Sequence, residues 1–537
     1  MSELKFLPPE TVVTGWDFST GAVKCLAFDI NGNVLASSRF PTDLTYGDSI
    51  DDPGAIELNL LQLEGQARAT TRDIASQLRD LGRLKDWAGG GISATHHTCG
   101  RIDRNSNQVR RAICWNDQTL AKYCQLGTQR LGGAEKVKEL IGGPWAVRYS
   151  LSHLVKDEQT LSREDWLRTR RLATHGVLSA GYLTGNFDVV SVSSAASTGM
   201  MDFRTKEWRK GMLNAIENEE LRALAWYALP DIIDQYTPVG RLSESLAVEC
   251  RLPSSMLRPL IFPTSDDQQA GLIGGGAVEA GQMAIILGNS AVVNSSCSTI
   301  PADDVNLDVM SLNWGPYLLM RCYSNGAYFI DRVMGKNVNY AQLEAAANAV
   351  VPGCNGAAID PFIVSEPSLG ITEPRLQWIG AEPQEIGVRY RACLEALAYL
   401  IALGVEEHKR AGQEINQITI SGGTSKSLLM CKILASVLNM PLKRLVSSEG
   451  PALGAAVTAL AALENYRRAE VSMSRTAADG AFPYAPTSGI MGEYTQAEAV
   501  KQMVQFKDVV EPVAEWIPAY QAGLEAFKAR LGVGNRE

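Results

Sequence analysis

Residues 417–437 read QITISGGTSKSLLMCKILASV: a β-branched run, a glycine pair, then an apolar helical pattern. Residues 443–463, KRLVSSEGPALGAAVTALAAL, repeat that order of strand, glycine turn and helix. Strands that alternate with helices in this way indicate an α/β protein whose mixed sheets are covered by helices. At 537 residues the chain exceeds what one hydrophobic core organises, so two or three domains are expected.

The rest of the chain fits that class. Asn31-Gly32 is a two-residue hairpin signal between apolar stretches, and a helical pattern runs from about Leu58 to Leu81. GGGISAT reads as a strand ending in His96-His97, and RIDRNSNQVRRAICW as a hairpin around Asn105 to Gln108. From about residue 260 the pattern restarts, with two short strands around Gly288-Asn289 and a long helix from about Pro383 to Gly412. The tail from Gln496 to Leu531 reads as amphipathic helix. The turns at Asp17–Gly21 and Leu287–Ala291 lie about half a chain apart. They are either unrelated hairpins or the trace of an internal duplication with one hairpin per domain.

Composition removes several function classes. Fifty basic against 59 acidic residues give a formal charge of −9, which argues against nucleic acid or an anionic membrane as the main partner. The apolar windows are too short to span a bilayer, and MSELKFLPPE lacks the basic and apolar pattern of a signal peptide. Ten cysteines without a CxxC pair point to reduced thiols and a cytoplasmic location. Five histidines without HExxH or a Cys/His cluster make structural zinc unexpected.

Several residues carry two readings each. Asp17, at the end of the strand in GWDFST, either caps a turn or sits where Mg²⁺ and phosphate oxygens approach backbone N–H groups. Gly422-Gly423-Thr424 and Gly450 are strand-to-helix turns that serve packing or admit a nucleotide; neither is a Walker A loop. His96 and His97 are packed imidazoles or hydrogen-bond partners for substrate hydroxyls. Trp115-Asn116-Asp117 either meets a sugar face or starts the next helix, with Asp117 as its cap. In TSDDQQAGLIGGG, Ser265 and Asp266 can cap a helix, but a second acid and two glutamines suggest that something polar is held there.

In this order the pieces resemble the FGGY family of carbohydrate kinases, within the actin-like ATPase superfamily, over nearly the whole chain. GWDFSTGAVKCLAFD resembles the first phosphate motif and LGNSAVV the second. ISGGTSKSLLMCKILASVLNMPL with EGPALGAAV resembles the nucleotide segment. GISATHHTCG and ICWND resemble sugar-site segments, and SDDQQAGLIGGG the catalytic motif. The resemblance implies two ribonuclease H-like domains, each a mixed sheet flanked by helices, with a cleft between them. Their expected spans are 1–262 and 263–480, with a C-terminal extension over 481–537.

It also implies ATP and Mg²⁺ as cofactors, a sugar as small-molecule substrate, and no nucleic acid or membrane partner; it leaves the oligomeric state open, a homodimer included. Asp267 falls on the catalytic aspartate, the implied general base for a primary hydroxyl. Asp17 is the implied Mg²⁺ residue, with Asp267 the second carboxylate near the metal. Ser19, Thr20, Gly288, Asn289 and Ser290 would cradle phosphates, and Gly422, Gly423, Thr424 and Gly450 the nucleotide. His96, His97, Trp115, Asp266 and Gln268 would face the sugar. The chain departs from the pattern in places. Ala94-Thr95-His96-His97 stands where Gly-Gln-Met-His is common, Asp266 where glycine is common, Thr119 where an arginine often follows, and Asn289 where threonine is usual. Gln268 is similar to glycerol kinases, whereas the overall layout resembles xylulokinase. The expectation is therefore a ketopentose kinase, with another ketose, a polyol or glycerol as alternative substrates, and a non-catalytic sugar- or nucleotide-binding homologue as the competing class.

Overall fold

The computed structural model describes residues 4, 6–47, 52–301, 306–335, 338–447, 449–476 and 493–533; residues 481–492 and 534–537 of the expected extension lie outside these. The chain forms two compact units that do not follow chain order. The first comprises Met1–Gly274, Met310–Pro316 and Pro451–Val504, and the second Gly275–Val309, Tyr317–Gly450 and Gln505–Glu537. Asp267 to Gly274, at the head of the expected 263–480 span, thus pack with the first unit.

The main sheet of the first unit contains β1 (Val12–Phe18), β2 (Ala22–Asp29), β3 (Val34–Pro41), β4 (Trp87–Ala94), β5 (Gly240–Arg241), β6 (Leu260–Ile261) and β7 (Ser265–Asp266). Its order is β5-β6-β4-β1-β2-β3, with β7 also alongside β4. β1, β2 and β3 are antiparallel neighbours, while β4 runs parallel to β1, β6 and β7. Every residue of β1 is buried, the mark of a strand covered on both faces. Helix α1 (Leu60–Asp80) supplies cover from Leu63, Ala67, Ile74 and Leu78, and Asn59 caps it by accepting from the Leu61 N–H at 3.0 Å. Three shorter helices matter for the site: α2 (His175–Thr184), α3 (Val192–Ala196) and α4 (Asp267–Gly274).

The second unit contains β8 (Gln282–Leu287), β9 (Ala291–Cys297), β10 (Tyr317–Tyr323), β11 (Gln417–Ser421), β12 (Leu442–Leu445) and β13 (Phe506–Val510), in the order β10-β9-β8-β11-β12-β13. α5 (Ile386–Arg410) and α6 (Leu428–Leu438) contribute Leu397, Ile401, Met430 and Leu434 to the core around this sheet. A last helix, α7 (Gly450–Thr476), returns the chain to the first unit from Pro451 onward. In each unit an antiparallel three-strand meander has a parallel strand beside its first member: β4 beside β1, and β11 beside β8. That shared arrangement supports the duplication reading of the two hairpins.

Two sequence expectations need correction. Asn31-Gly32 turns the chain, but within a four-residue loop. Asp29 Oδ1 accepts from the N–H groups of Asn31 (2.9 Å) and Asn33 (3.0 Å), so its side chain organises a wider turn. The tail is not one helix: Gln496–Met503 and Ile517–Leu531 are helical, with β13 between them. Pairing decides this, because Val509 and Val510 find partners in Lys443 and Leu442, and Pro512 then blocks helix continuation.

A smaller sheet in the first unit carries the strand Cys99–Ile102, immediately after His96-His97. Arg101 on that strand is fully buried, stacks on Trp166 with 3.8 Å to the ring centroid, and pairs with Asp157 at 2.7 Å. Arg110 pairs with the same carboxylate at 2.9 Å. Burial pushes the Asp157 pKa up, but Arg110 and Arg101 outweigh it and the net shift is downward. A carboxyl held below its unfolded pKa of about 3.9 stabilises the fold above that pH, and the contribution is lost as pH falls through the folded pKa. Asp157→Asn should therefore cost about 3–5 kcal/mol at pH 7, because it strands two guanidinium groups. Urea titrations between pH 3 and 7 should show that deficit shrinking toward acid; a pH-independent deficit would assign the loss to packing.

Among the described residues no helix is long and apolar enough to cross a membrane. Nine of the ten cysteines are buried, and burial pushes the thiols up, Cys393 to about 12, so those thiols are unreactive.

Candidate active site

Parallel strands present side chains beyond their carboxyl ends, and in the first unit β1, β4 and β7 end together. Ser93 on β4 is opposite Asp17 on one side and Ser265 on the other; Ala94 is opposite Phe18 and Asp266. The backbone N–H and the hydroxyl of Thr95 both donate to the Phe18 carbonyl at 3.1 Å, stitching the segment after β4 to β1. This register brings Asp17, His96, Asp266 and Asp267 to one end of one sheet.

His96 lies between the two aspartates of the SDD run. Its Nε2 is 2.8 Å from Asp266 Oδ2, and its Nδ1 is 2.9 Å from Asp267 Oδ1. Both ring nitrogens face carboxylates, so both carry hydrogen and the ring is an imidazolium. Burial alone disfavours that charge, but Asp266 and Asp267 overcome it and hold the pKa at about 9. Asp266 is deeply buried, receives a hydrogen bond from the Ser194 hydroxyl at 3.1 Å, and donates its N–H to Ser193 Oγ at 3.1 Å. The Asp267 side chain is 24% exposed, enough for one face to meet a ligand. The N–H of Gln268 also donates to Asp267 Oδ1, at 2.9 Å.

His97 has a different state. It adopts φ +64, a conformation rarely populated by a non-glycine residue, and its ring stacks on Tyr149 with centroids 4.8 Å apart. Burial and Arg148 hold its pKa well below the usual range, so the ring is neutral. Nδ1 donates to the Ser197 carbonyl at 3.1 Å, which leaves Nε2 as an acceptor. Trp115 is 41% exposed. Asp117 accepts from the Thr119 N–H at 2.8 Å and the Ile56 N–H at 3.0 Å, so the helix-start reading of that motif holds.

The phosphate and nucleotide candidates divide between the units. In the first, Ser19 closes its turn on Ala22, its N–H and hydroxyl both donating to the Ala22 carbonyl, at 3.1 and 2.8 Å; Thr20 follows in the turn. In the second, the Gly288 N–H donates to Ser290 O at 3.0 Å, and the N–H groups of Gly326 and Ala327 donate to Asn289 O and Gly288 O, each at 2.9 Å. Gly422 sits beside Leu287 at the ends of parallel β8 and β11. With φ +94 and a Cβ that would lie 2.7 Å from the Leu287 carbonyl carbon, only glycine fits. Gly423 and Thr424 open a short 3₁₀ helix there, and Gly450 begins α7.

The residues also fit a phosphate-bound Mg²⁺. Among the described residues no group of three or more His, Cys, Asp or Glu forms a metal cage. Mg²⁺ at phosphotransfer sites needs only one or two carboxylates plus water and phosphate. Asp17 has the chemistry for that role: a carboxylate 4% exposed, with Ser93 Oγ donating to it at 3.2 Å and Lys24 Nζ 4.0 Å away.

Sequence reasoning missed part of this constellation. In the buried run Ser193, Ser194 and Ser197, the first two bond Asp266 and Ser197 donates to the Ser194 carbonyl, while Asn313, from Met310–Pro316, holds Ser193. The Ser193 N–H donates to Asn313 Oδ1 at 2.9 Å, and Asn313 Nδ2 donates to Thr264 O at 3.0 Å. His175 was also missed. It packs on Phe18 with centroids 6.2 Å apart, both its ring nitrogens lack a partner among the described residues, and burial drives its pKa down to about 4 despite Asp267. The available signal was compositional, a dense run of small hydroxyl residues in VSVSSAASTG.

Comparison with known proteins bears on the family. Residues 12–274 match the N-terminal domain, and residues 317–463 the C-terminal domain, of the FGGY family of carbohydrate kinases. A xylulose kinase of Staphylococcus epidermidis is 24% identical over 463 residues, covering 83% of this chain and 87% of that protein. An autoinducer-2 kinase of Yersinia pestis is 24% identical over 495 residues, covering 86% and 88%. The crystal structure of Plasmodium falciparum glycerol kinase with ADP shares the fold, with a TM-score of 0.77 at 15% identity, covering 98% of this chain and 99% of that one. The strand-end carboxylates, the glycine turns and the two matched domains together make this chain a member of the FGGY family of carbohydrate kinases, an ATP-dependent sugar kinase.

Proposed function

We propose that the enzyme transfers the γ-phosphoryl group of ATP to a primary hydroxyl of a ketopentose such as xylulose, with Asp267 as general base. The observation that carries this reading is the partly exposed Asp267 carboxylate at the same sheet end as buried Asp17. Asp267 takes the hydroxyl proton as that oxygen bonds to the γ-phosphorus, and the bond from phosphorus to the ADP oxygen breaks. His97 Nε2 accepts a hydrogen bond from a sugar hydroxyl, and Trp115 and Gln268 make further sugar contacts. Ser19, Thr20, Gly288, Asn289 and Ser290 serve the phosphates; Gly422, Gly423, Thr424 and Gly450 serve the nucleotide. Asp17, with Asp267 as the second carboxylate, would hold the water shell of a bound Mg²⁺, which would neutralise phosphate charge. The buried cysteines support a cytoplasmic setting.

The ketopentose choice follows the xylulose kinases among the relatives. A second reading, a polyol or another ketose, is favoured by Gln268 and by the glycerol kinase and autoinducer-2 kinase likenesses. Sugar-dependent ADP release, measured over ketopentoses, ketohexoses, polyols and glycerol with Mg-ATP, separates them. Ketopentoses should give the highest kcat/KM; a polyol in that position reverses the choice. Silence across the panel from folded protein would leave the non-catalytic alternative.

A further inference from the structure

The contacts of Asp267 are lopsided. Oδ1 accepts from three N–H donors: His96 Nδ1 at 2.9 Å, the Gln268 backbone at 2.9 Å and the His96 backbone at 3.4 Å. Among the described residues no hydrogen bond reaches Oδ2. One oxygen is saturated and the other is the only open acceptor, so the carboxylate presents a single free oxygen.

The donor that fixes this orientation is itself anchored from behind. His96 Nε2 meets Asp266 Oδ2 at 2.8 Å, and Asp266 is held by the hydroxyls of Ser193 and Ser194. Ser193 is held in turn by Asn313, which also grips the Thr264 carbonyl. The ring therefore cannot turn about its long axis without breaking a buried ion pair. His96 and Asp266 are also two positions at which this chain leaves the common family pattern, and the structure puts those two departures in contact.

We propose that His96 is the positioning residue of the catalytic carboxylate: anchored by Asp266, it pins Asp267 Oδ1 so that Oδ2 alone faces the acceptor hydroxyl. This rests on Asp267 being the base. An unpinned carboxylate rotates about χ2 and samples geometries in which neither oxygen is aligned, and misplacement by about 1 Å can cost a hundredfold in rate. A group that merely filled space or balanced Asp266 would affect stability instead.

The two ring nitrogens can be replaced separately. In His96→Asn the amide nitrogen lies near the Nδ1 position and keeps a donor for Asp267. In His96→Gln it lies near the Nε2 position and keeps a donor for Asp266. His96→Leu keeps neither. If His96 positions Asp267, kcat should fall roughly 10- to 100-fold in His96→Leu with KM for ATP within about twofold, and His96→Asn should recover more kcat than His96→Gln. Thermal stability should rank the other way, with His96→Gln above His96→Asn. A His96→Leu enzyme within about twofold of the parent kcat overturns the proposal, as does a kcat order that simply follows stability. Asp267→Asn, assayed in parallel, separates the two readings. If it keeps its turnover, the base assignment fails; if it is inactive while His96→Leu is unaffected, only the positioning role fails.

Discussion

Asp267→Asn is expected to fold normally, to bind ATP with unchanged affinity, and to lose roughly a hundred- to ten-thousand-fold in kcat. Three N–H donors meet on Oδ1. An asparagine here has one arrangement that satisfies them: its carbonyl oxygen takes the Oδ1 place. The amide NH₂ then occupies the Oδ2 place and offers donors to a hydroxyl that needs an acceptor. The substitution inverts the hydrogen-bond polarity at the one open atom while leaving the surrounding contacts intact. Stability should change little and catalysis a great deal. Sugar-dependent ADP release reads the first effect, and a nucleotide-induced shift in melting temperature checks that ATP still binds. Asp266→Asn makes the useful contrast. Asp266 is buried, touches His96 and Ser194, and offers the substrate no open oxygen, so its loss should lower stability more and turnover less. Comparable turnover for the Asp267→Asn and parent enzymes would remove the general-base role.

Much of this site was legible before the structure, and the residues show why. Asp17, Asp267, Gly288 and Gly422 sit in local patterns of strand, turn and helix, and local patterns are what a sequence records directly. The pairing of His96 with Asp266 is separated by most of a domain and follows only from the parallel register of β4 and β7. The Ser193–Ser194 support was hidden for another reason: small hydroxyl residues read as loop or cap, and their burial comes from packing against a distant strand. Asn313 reaches the first unit from a segment flanked on both sides by chain of the second, which no periodicity announces. The misread tail belongs to the same class, since β13 is a strand because β12 offers an edge. At the sugar-facing side, Asp117 turned out to be committed to a cap and a backbone N–H, which leaves Trp115 as the exposed member of that motif.

The second large effect concerns three glycines outside the chemistry. Gly15 on β1 and Gly91 on β4 are register partners, and α7 lies directly against both. A Cβ on Gly15 would overlap the Ala452 carbonyl oxygen and come within 2.8 Å of the Ala452 carbonyl carbon; one on Gly91 would come within 2.9 Å of the Ala455 carbonyl carbon. Two residues along, Gly454 faces α4, where a Cβ would lie 2.7 Å from the Ala270 carbonyl carbon and 2.8 Å from the Gly274 nitrogen. These contacts are backbone to backbone, so no rotamer change can relieve an added methyl; the whole helix must move. One helix thus sets the spacing of both the sheet that carries Asp17 and the helix that begins at Asp267. Gly15→Ala and Gly454→Ala should each cost at least about 3 kcal/mol, the upper end for overpacked cores. Gly454→Ala should also lower kcat in the fraction that remains folded, because it displaces α4. Gly65→Ala supplies the control: that glycine lies in α1 with nothing among the described residues within 4 Å of the added carbon, so the same change should stabilise by up to about 1 kcal/mol. Urea unfolding of the three variants reads both signs. If Gly15→Ala and Gly454→Ala unfold at the parent midpoint, α7 is not held at backbone contact, and its role in registering Asp267 against Asp17 is lost with it.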